Sequence, residues 1–112
     1  MRGYDMILDK INPDDLFPTE RVETSVLGKM PYTVKDMTKI YDAAYVATNE
    51  RLILNVDMDG QFYYRNIQFN EIKEIKSDEH ELKITFDYGV FTLKECNADE
   101  VKAMSDYLHA KM

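Results

Sequence analysis

The stretch from Tyr45 to Ile75, YVATNERLILNVDMDGQFYYRNIQFNEIKEI, constrains the fold of this chain more than any other. Short runs of alternating apolar and polar residues are separated by two-residue turn signals, first Asn49-Glu50 and then Asp59-Gly60. Alternation with a period of two is typical of half-buried antiparallel strands, and Asp-Gly favours the type I′ turn of a β-hairpin. The stretch therefore predicts a meander of antiparallel strands.

The same patterns predict seven strands in all, at residues 21–27, 45–48, 51–57, 62–69, 72–77, 82–88 and 90–94. Within the fourth strand the apolar positions change parity between Tyr64 and Ile67, which predicts a bulge or bend near Asn66. The first strand is predicted to end at Gly28. Residues 28–42 then form a long predicted loop, with a helical turn within residues 33–41.

Helices are predicted at both ends of the chain. Asn97 suits an N-cap, and Glu100 completes a capping box before an apolar stripe formed by Val101, Met104, Tyr107 and Leu108. Near the N-terminus a second set of apolar residues recurs at helical spacing and predicts a short amphipathic helix over residues 4–12: Tyr4, Ile7, Leu8 and Ile11. The fold class predicted from these elements is mainly β (α+β).

Length and charge narrow the class of protein. A chain of 112 residues with 45% hydrophobic content corresponds to one domain with one modest core. The apolar runs of the chain are too short to cross a bilayer, and its N-terminus lacks the pattern of a signal peptide. The single cysteine, Cys96, suits a reducing compartment. These features predict a cytoplasmic location. The net charge of −7 argues against nucleic acid and makes a membrane partner unexpected.

Motifs for catalysis or metal binding are not assembled in this sequence. His80 is predicted in a polar turn and His109 near the end of the last helix, away from a nucleophile. A calcium loop that began at Asp57 would place Gln68 where a bidentate glutamate is needed, and the four glycines are too scattered for a phosphate loop. We therefore expect a non-enzymatic protein with no catalytic residues, no metal site and no cofactor.

Residues 47–53, Ala-Thr-Asn-Glu-Arg-Leu-Ile, resemble the "TNxRLI" hairpin of bacterial pleckstrin-homology-like (PH-like) domains of the YokE-like type. The run from Ile67 to Ile75 and the C-terminal helix extend this resemblance over residues 20–112. It implies a seven-stranded antiparallel roll, or partly open barrel, of two near-perpendicular sheets capped by the C-terminal α-helix. It also implies a PH-like domain at residues 19–112 behind an N-terminal helical extension at residues 1–18, and binding rather than catalysis.

The predicted first loop is the leading candidate for binding. Its residues 28–41 include three lysines and one acidic residue, Asp36, beside three apolar or aromatic residues: Lys29, Lys35 and Lys39 with Met30, Tyr32 and Met37. Further candidates are the apolar residues Tyr4, Ile7 and Ile11 of the N-terminal helix. Tyr63 and Tyr64 are predicted to face opposite sides of one strand, and Tyr63 with its neighbour Arg65 completes the set.

Two functions of different classes are compatible with these residues. The first is a protein-binding module that recognises a protein partner or a second copy of itself, including the form of a phage or prophage protein that modulates a host protein, which the resemblance suggests. The alternative is a binder of small ligands or anionic lipid headgroups that uses the basic loop. That loop departs from the phosphoinositide pattern of eukaryotic relatives, because it contains no arginine.

Overall fold

The protein is described by a computed structural model that covers residues 16–58 and 60–112. Within these residues, seven antiparallel strands form two sheets, and one helix follows at the C-terminus. The prediction of a mainly β chain closed by a C-terminal helix is confirmed. The predicted helix at residues 4–12, with Tyr4, Ile7 and Ile11, lies outside the described residues.

The elements follow one another along the chain with short connections. The first sheet has the order β1 (Val22–Val34), β2 (Met37–Thr48), β3 (Leu52–Met58) and β4 (Gln61–Ile67), and the second has the order β5 (Ile72–Ser77), β6 (Leu82–Phe86) and β7 (Gly89–Leu93). A 3-10 turn at Phe69–Glu71 leads from the first sheet to the second, and α1 (Ala98–Lys111) ends the fold.

The predicted loop at residues 28–42 and its helical turn are wrong, because β1 and β2 form one long hairpin that pairs out to Val34 and Met37. Gly28 predicted the end of the first strand, but β1 continues past it and also contains Pro31. Pro31 is tolerated because β1 is an edge strand at this point. The backbone N–H of Lys29 points away from β2 towards Lys94, and Pro31, two residues later, faces the same way and removes no bond to β2.

Of the predicted bulge or bend near Asn66, the bulge is wrong. The register of β3 and β4 is unbroken from the Leu52–Ile67 pair to the Met58–Gln61 pair, across a two-residue connection in which Gly60 has a φ of 94°. The parity change arises because Tyr64 is an exposed residue rather than part of the core. The chain bends just after the sheet, at the 3-10 turn, where Glu71 accepts a hydrogen bond from the backbone N–H of Gln68.

In the part of the chain that the structure describes, the two sheets meet along one seam and are not closed into a barrel. Lys29 of β1 and Lys94 exchange two backbone hydrogen bonds, with N···O distances of 2.8 and 2.7 Å. Gly28 allows this approach, since a Cβ atom there would lie 2.6 Å from the Cys96 Sγ and 2.7 Å from the Lys94 carbonyl oxygen. The seam therefore depends on a glycine whose role is close packing rather than chain reversal.

Helix α1 covers the core between the two sheets. The Asn97 side chain accepts hydrogen bonds from the backbone N–H groups of Asp99 and Glu100, as predicted for an N-cap. Glu100, expected to complete a capping box, instead accepts a hydrogen bond from the backbone N–H of Leu27 and so holds the helix against β1. The buried side chains of α1, Val101, Met104 and Leu108, pack in one core with residues of both sheets. No helix in the described part of the chain is long and apolar enough to cross a membrane.

Candidate functional site

The distal part of the β1–β2 hairpin extends beyond the rest of the first sheet. β3 pairs with β2 only between Asp42 and Ala47, and the seam with the second sheet lies at Lys29. Residues 30–41 therefore form a two-stranded extension, which we call the ribbon. Four of its large apolar side chains are exposed: Tyr32, Val34, Met37 and Ile40. Met37 is the most exposed of the four and retains 71% of its accessible surface.

The register assigns the ribbon side chains to two faces. Met30 is buried in the main core, so the side chains that share its face continue the inner surface of the sheet. This inner ribbon face consists of Met30, Tyr32, Val34, Met37, Lys39 and Tyr41. The opposite face carries Ile40 and the Thr33–Thr38 pair, whose hydroxyl oxygens are 2.7 Å apart. Three of the four exposed apolar side chains thus lie on the inner face.

A groove lies at the base of the ribbon on the same inner surface. It encloses a cavity of about 210 Å³ between the first sheet and β7. The lining is mostly apolar and comprises Met30, Tyr32, Tyr41, Leu54, Val56, Met58, Tyr63, Arg65 and Phe91. The groove and the inner ribbon face share Met30, Tyr32 and Tyr41, and therefore form one continuous surface.

Arg65 places a positive charge beside this apolar lining. One of its guanidinium nitrogens donates a hydrogen bond to the Tyr63 hydroxyl at 3.2 Å. Its guanidinium carbon lies 4.0 Å from the centroid of the Tyr88 ring, which is a cation–π contact. These two contacts fix the side chain, so the charge is held at the groove rather than spread over many conformations.

The structure brings together some of the residues that the sequence singled out. Met30, Tyr32, Tyr63 and Arg65 all line the groove, and Met37 lies on the adjoining ribbon face. Tyr63 and Tyr64 are 43% and 44% exposed and face opposite sides of the sheet, as predicted. Sequence reasoning missed the groove residues Tyr41, Leu54, Val56, Met58 and Phe91. The alternation in β3 placed Leu54 and Val56 on one face. The sequence did not predict the strand arrangement that brings them together with Tyr32 and Tyr63.

The three lysines of the predicted loop do not converge. Lys29 forms an ion pair with Asp42, and the hydrogen bond between them raises the pKa of Lys29. The surface depression around Lys29 also contains the carboxylates of Asp57 and Glu95. Lys35 lies in the turn at the tip, and the ammonium of Lys39 is 5.7 Å from the centroid of the Tyr41 ring on the inner face. An anion at this surface would meet carboxylates beside Lys29 rather than a cluster of cations.

The Thr-Asn-Glu-Arg turn between β2 and β3 has a structural role. The Thr48 hydroxyl oxygen accepts hydrogen bonds from the backbone N–H groups of Glu50 and Arg51, and the hydroxyl donates one to Glu20. Asn49 accepts from the backbone N–H of Arg21 at 2.7 Å and donates to the Thr19 carbonyl oxygen at 3.1 Å. These residues fasten the segment that precedes β1.

Arg51 and Glu20 form a buried ion pair at the centre of this arrangement. Two guanidinium nitrogens of Arg51 donate to the two carboxylate oxygens of Glu20 at 2.8 and 3.0 Å. Burial acts to raise the pKa of Glu20, but the hydrogen bonds from Arg51 and Thr48 outweigh it and lower this pKa to about 2. We call Glu20, Thr48, Asn49 and Arg51 the polar clamp.

The histidines and the cysteine make local structural contacts. His80 Nδ1 lies 2.9 Å from the Cys96 carbonyl oxygen, and His109 Nδ1 lies 2.8 Å from the Ser105 carbonyl oxygen one turn back in α1. Burial raises the pKa of the Cys96 thiol to about 11, so it stays protonated near neutral pH. Among residues 16–58 and 60–112, no group of three or more His, Cys, Asp or Glu side chains is placed to hold a metal ion.

Comparison with known proteins adds no assignment to this geometry. No family model matches the chain, and the search of curated proteins finds no significant match. The function must therefore be inferred from the ribbon, the groove and the charges around them.

Proposed function

We propose that the chain is a non-enzymatic protein-binding module with a PH-like scaffold, and that its partner binds the inner ribbon face together with the groove. One observation carries this proposal: the β1 side chains Val34, Tyr32 and Met30 lead along one face from the exposed tip of the ribbon into a cavity of about 210 Å³. Two antiparallel sheets covered by a C-terminal helix support the PH-like assignment.

The exposure of the ribbon supports binding of a macromolecule. Tyr32, Val34 and Met37 expose large apolar areas side by side on a projecting element, where they contribute little to the core. Contiguous exposed apolar surface on a small soluble domain marks sites of interaction, and aromatic residues and methionine are enriched at such sites. The groove beside them offers a concave pocket in which one bulky partner side chain can be desolvated.

The charges around the surface indicate the chemistry of the partner. Although the chain has a net charge of −7, the inner ribbon face and the groove lining contain no aspartate or glutamate. Lys39 lies on the inner ribbon face, and Arg65 is fixed at the groove. We therefore propose that the docking segment of the partner carries a bulky apolar side chain flanked by aspartate or glutamate, so that apolar contact and opposite charge coincide.

Tyr63 and Tyr64 provide a matched test. They are adjacent, of one residue type and almost equally exposed, yet only Tyr63 lines the groove. A photo-crosslinking residue at position 37 in the native host would identify the partner, and calorimetry with that purified protein would then measure affinity. We expect Tyr63→Ser to weaken binding at least about tenfold, because a buried aromatic contact is lost, and Tyr64→Ser to change it less than about twofold.

Two results would contradict this proposal. The first is equal loss of affinity in both tyrosine variants, which would separate binding from the groove. The second is cosedimentation of the protein with vesicles of phosphatidylserine that Lys35→Glu and Lys39→Glu abolish, which would favour the lipid-headgroup alternative. That the partner is a host protein and this chain a phage or prophage product stays a prediction from the resemblance.

A further inference from the structure

The pairing between β1 and β7 stops after one pair of residues. Lys29 and Lys94 exchange two backbone hydrogen bonds as an isolated antiparallel bridge. In an antiparallel ladder the next pair of this kind would join Pro31 and Thr92. Pro31 has no N–H to donate, so that pair cannot form both bonds. Among the described residues the bridge does not continue, and beyond Lys29 the facing edges of β1 and β7 are not joined.

The edge of β7 that faces this opening keeps its hydrogen-bonding groups. The backbone groups of alternate residues in a strand point to opposite sides, so Thr92 and Val90 point the same way as Lys94, away from β6. In the described part of the chain, no backbone hydrogen bond joins Thr92 or Val90 to an element other than β6. Each of them therefore offers an N–H and a C=O group to a further strand.

The groove runs beside this edge. Phe91 alternates with Val90 and Thr92, packs on the core and lines the groove together with Tyr32 of β1. In a strand added to β7, the residue beside Phe91 would share its face, with the two Cβ atoms about 5 Å apart. Its side chain would enter the groove, whose lining includes Arg65 and no carboxylate. One extended segment could therefore use both the edge and the groove.

The opposite face of β7 has a positive neighbour. Lys83 of β6 is exposed and lies directly across from Thr92, on the face that points away from Phe91. In a strand added to β7, the residues on either side of the groove residue would lie on this face. Two strand spacings, about 10 Å, separate them from Lys83, and a lysine and a carboxylate side chain together can span that distance. Acidic residues therefore suit these positions.

We propose that the partner adds an extended segment to the free edge of β7, antiparallel to it, along the groove that opens beyond Lys29. One bulky apolar side chain of the segment enters the groove beside Phe91, and the acidic residues next to it in sequence lie on the face of Lys83. Backbone hydrogen bonds supply affinity in this mode, and alternate side chains supply specificity. The inference rests on the proposed function, because it takes the groove as the binding surface.

Amide hydrogen exchange measured by NMR tests the edge before and after binding. In the free protein we expect fast exchange at Val90 and Thr92 and slow exchange at Phe91, whose N–H faces β6. The probe is a peptide selected from a phage-displayed random library on the full chain, with Tyr63→Ser as the control for groove binding. On binding, exchange at Val90 and Thr92 should slow at least about tenfold, with Phe91 unchanged.

The outcomes separate this inference from the proposed function. Slow exchange at Val90 and Thr92 in the free protein overturns the inference, because the edge is then already occupied by the chain itself or by a second copy. A peptide that depends on Tyr63 but leaves both amides unchanged also overturns it, while the proposed function stands. A selection that yields only peptides insensitive to Tyr63→Ser contradicts both.

Two substitutions at one position separate the backbone from the side chain. Thr92→Pro removes an N–H from the free edge and leaves the bonds to β6, and we expect it to weaken peptide binding at least about tenfold. Thr92→Val keeps the N–H and should change affinity less than about twofold. Equal affinities overturn the inference. If Thr92→Pro does not fold, N-methylation along the peptide decides: it should weaken binding at every second residue, and a loss without that period overturns the inference.

Discussion

The two ends of the β1–β2 hairpin are built from the same two strands but differ in burial. The proximal end is enclosed: Val26 and Tyr45 are fully buried, the seam closes at Gly28, and the polar clamp fastens the preceding segment. The distal end, the ribbon, projects with Tyr32, Val34 and Met37 in solvent. Strand pairing alone therefore does not decide whether the side chains of a strand are buried or exposed. What decides is whether a second layer covers its face.

The largest difference between the two ends should appear when the polar clamp is broken. We expect Arg51→Ala to lower the free energy of unfolding by about 3 kcal/mol, because Glu20 would be left as a buried, uncompensated charge. Arg21→Ala is the control, since Arg21 is largely exposed in its ion pair with Glu23 and should cost less than about 1 kcal/mol. Urea denaturation measures both, and equal losses would show that the clamp is not a major source of stability.

A pair of methionines compares the base and the tip of the ribbon with one residue type. Met30 is buried, so Met30→Ala should destabilise the protein by about 2 to 3 kcal/mol through lost contacts and a cavity. Met37 is exposed, and Met37→Ala should change stability by less than about 0.5 kcal/mol. A comparable loss at Met37 in chemical denaturation would mean that the tip is packed in solution, against the proposal that it is open to a partner.

Low pH should destabilise the proximal end of the hairpin before it affects the ribbon. The pKa of Glu20 is about 2 in the folded protein and near 4.5 when unfolded, so the unfolded state takes up the proton first as pH falls. The clamp's contribution is complete above about pH 5 and is lost towards pH 2, by roughly 3 kcal/mol.

The pH profile of two variants isolates this contribution. Glu20→Gln should be less stable at pH 7 and lose less stability between pH 5 and pH 2 than the unmodified protein. Glu50→Gln, which changes an exposed carboxylate in the same turn, should keep the full pH dependence. Parallel profiles for the unmodified protein and Glu20→Gln would assign the acid sensitivity to other groups.

The smallest expected effect is at the tip turn. Lys35 has a φ of 57°, which is unfavourable for a side chain with a Cβ atom. Lys35→Gly should therefore raise the free energy of unfolding by about 0.5 kcal/mol, the relief of strain exceeding the added freedom of the unfolded chain. Asp36→Gly is the control, because Asp36 is outside the left-handed region, and it should destabilise the protein. Thermal unfolding of both variants measures the sign.

The turn at residues 48–51 was predictable from the sequence, but its structural role in the polar clamp was not. Residues 48–51 could be identified as a turn because the strands on both sides alternate clearly. Their bonds to Thr19, Glu20 and Arg21 join positions about 30 residues apart in the chain, and no local pattern predicts such a contact. The motif proved to be an attachment point for the segment before β1.

The ribbon was missed for a related reason. Glycine and proline usually interrupt strands, and β1 contains both Gly28 and Pro31. The tip turn, Lys35-Asp36, lacks the glycine or asparagine that is typical of turns. Gly28 and Pro31 are compatible with a strand because of their surroundings in the fold. Cys96 lies close to Gly28, and the Pro31 nitrogen points away from β2. Both are tertiary facts. The candidate residues Met30, Tyr32 and Met37 were found from composition, but as parts of a loop rather than as one face of a hairpin.

Local sequence patterns were sufficient to predict the mainly β class, most of the strands, the Asn97 cap of the last helix and the two-residue connection at Gly60, because each depends on residues within a few positions of one another. The three-dimensional fold was needed to show that the first two strands form one long hairpin, that the lysines diverge, and that Tyr32, Tyr63, Arg65 and Phe91 share a groove. Those features depend on register and on contacts between distant strands, which local periodicity does not encode.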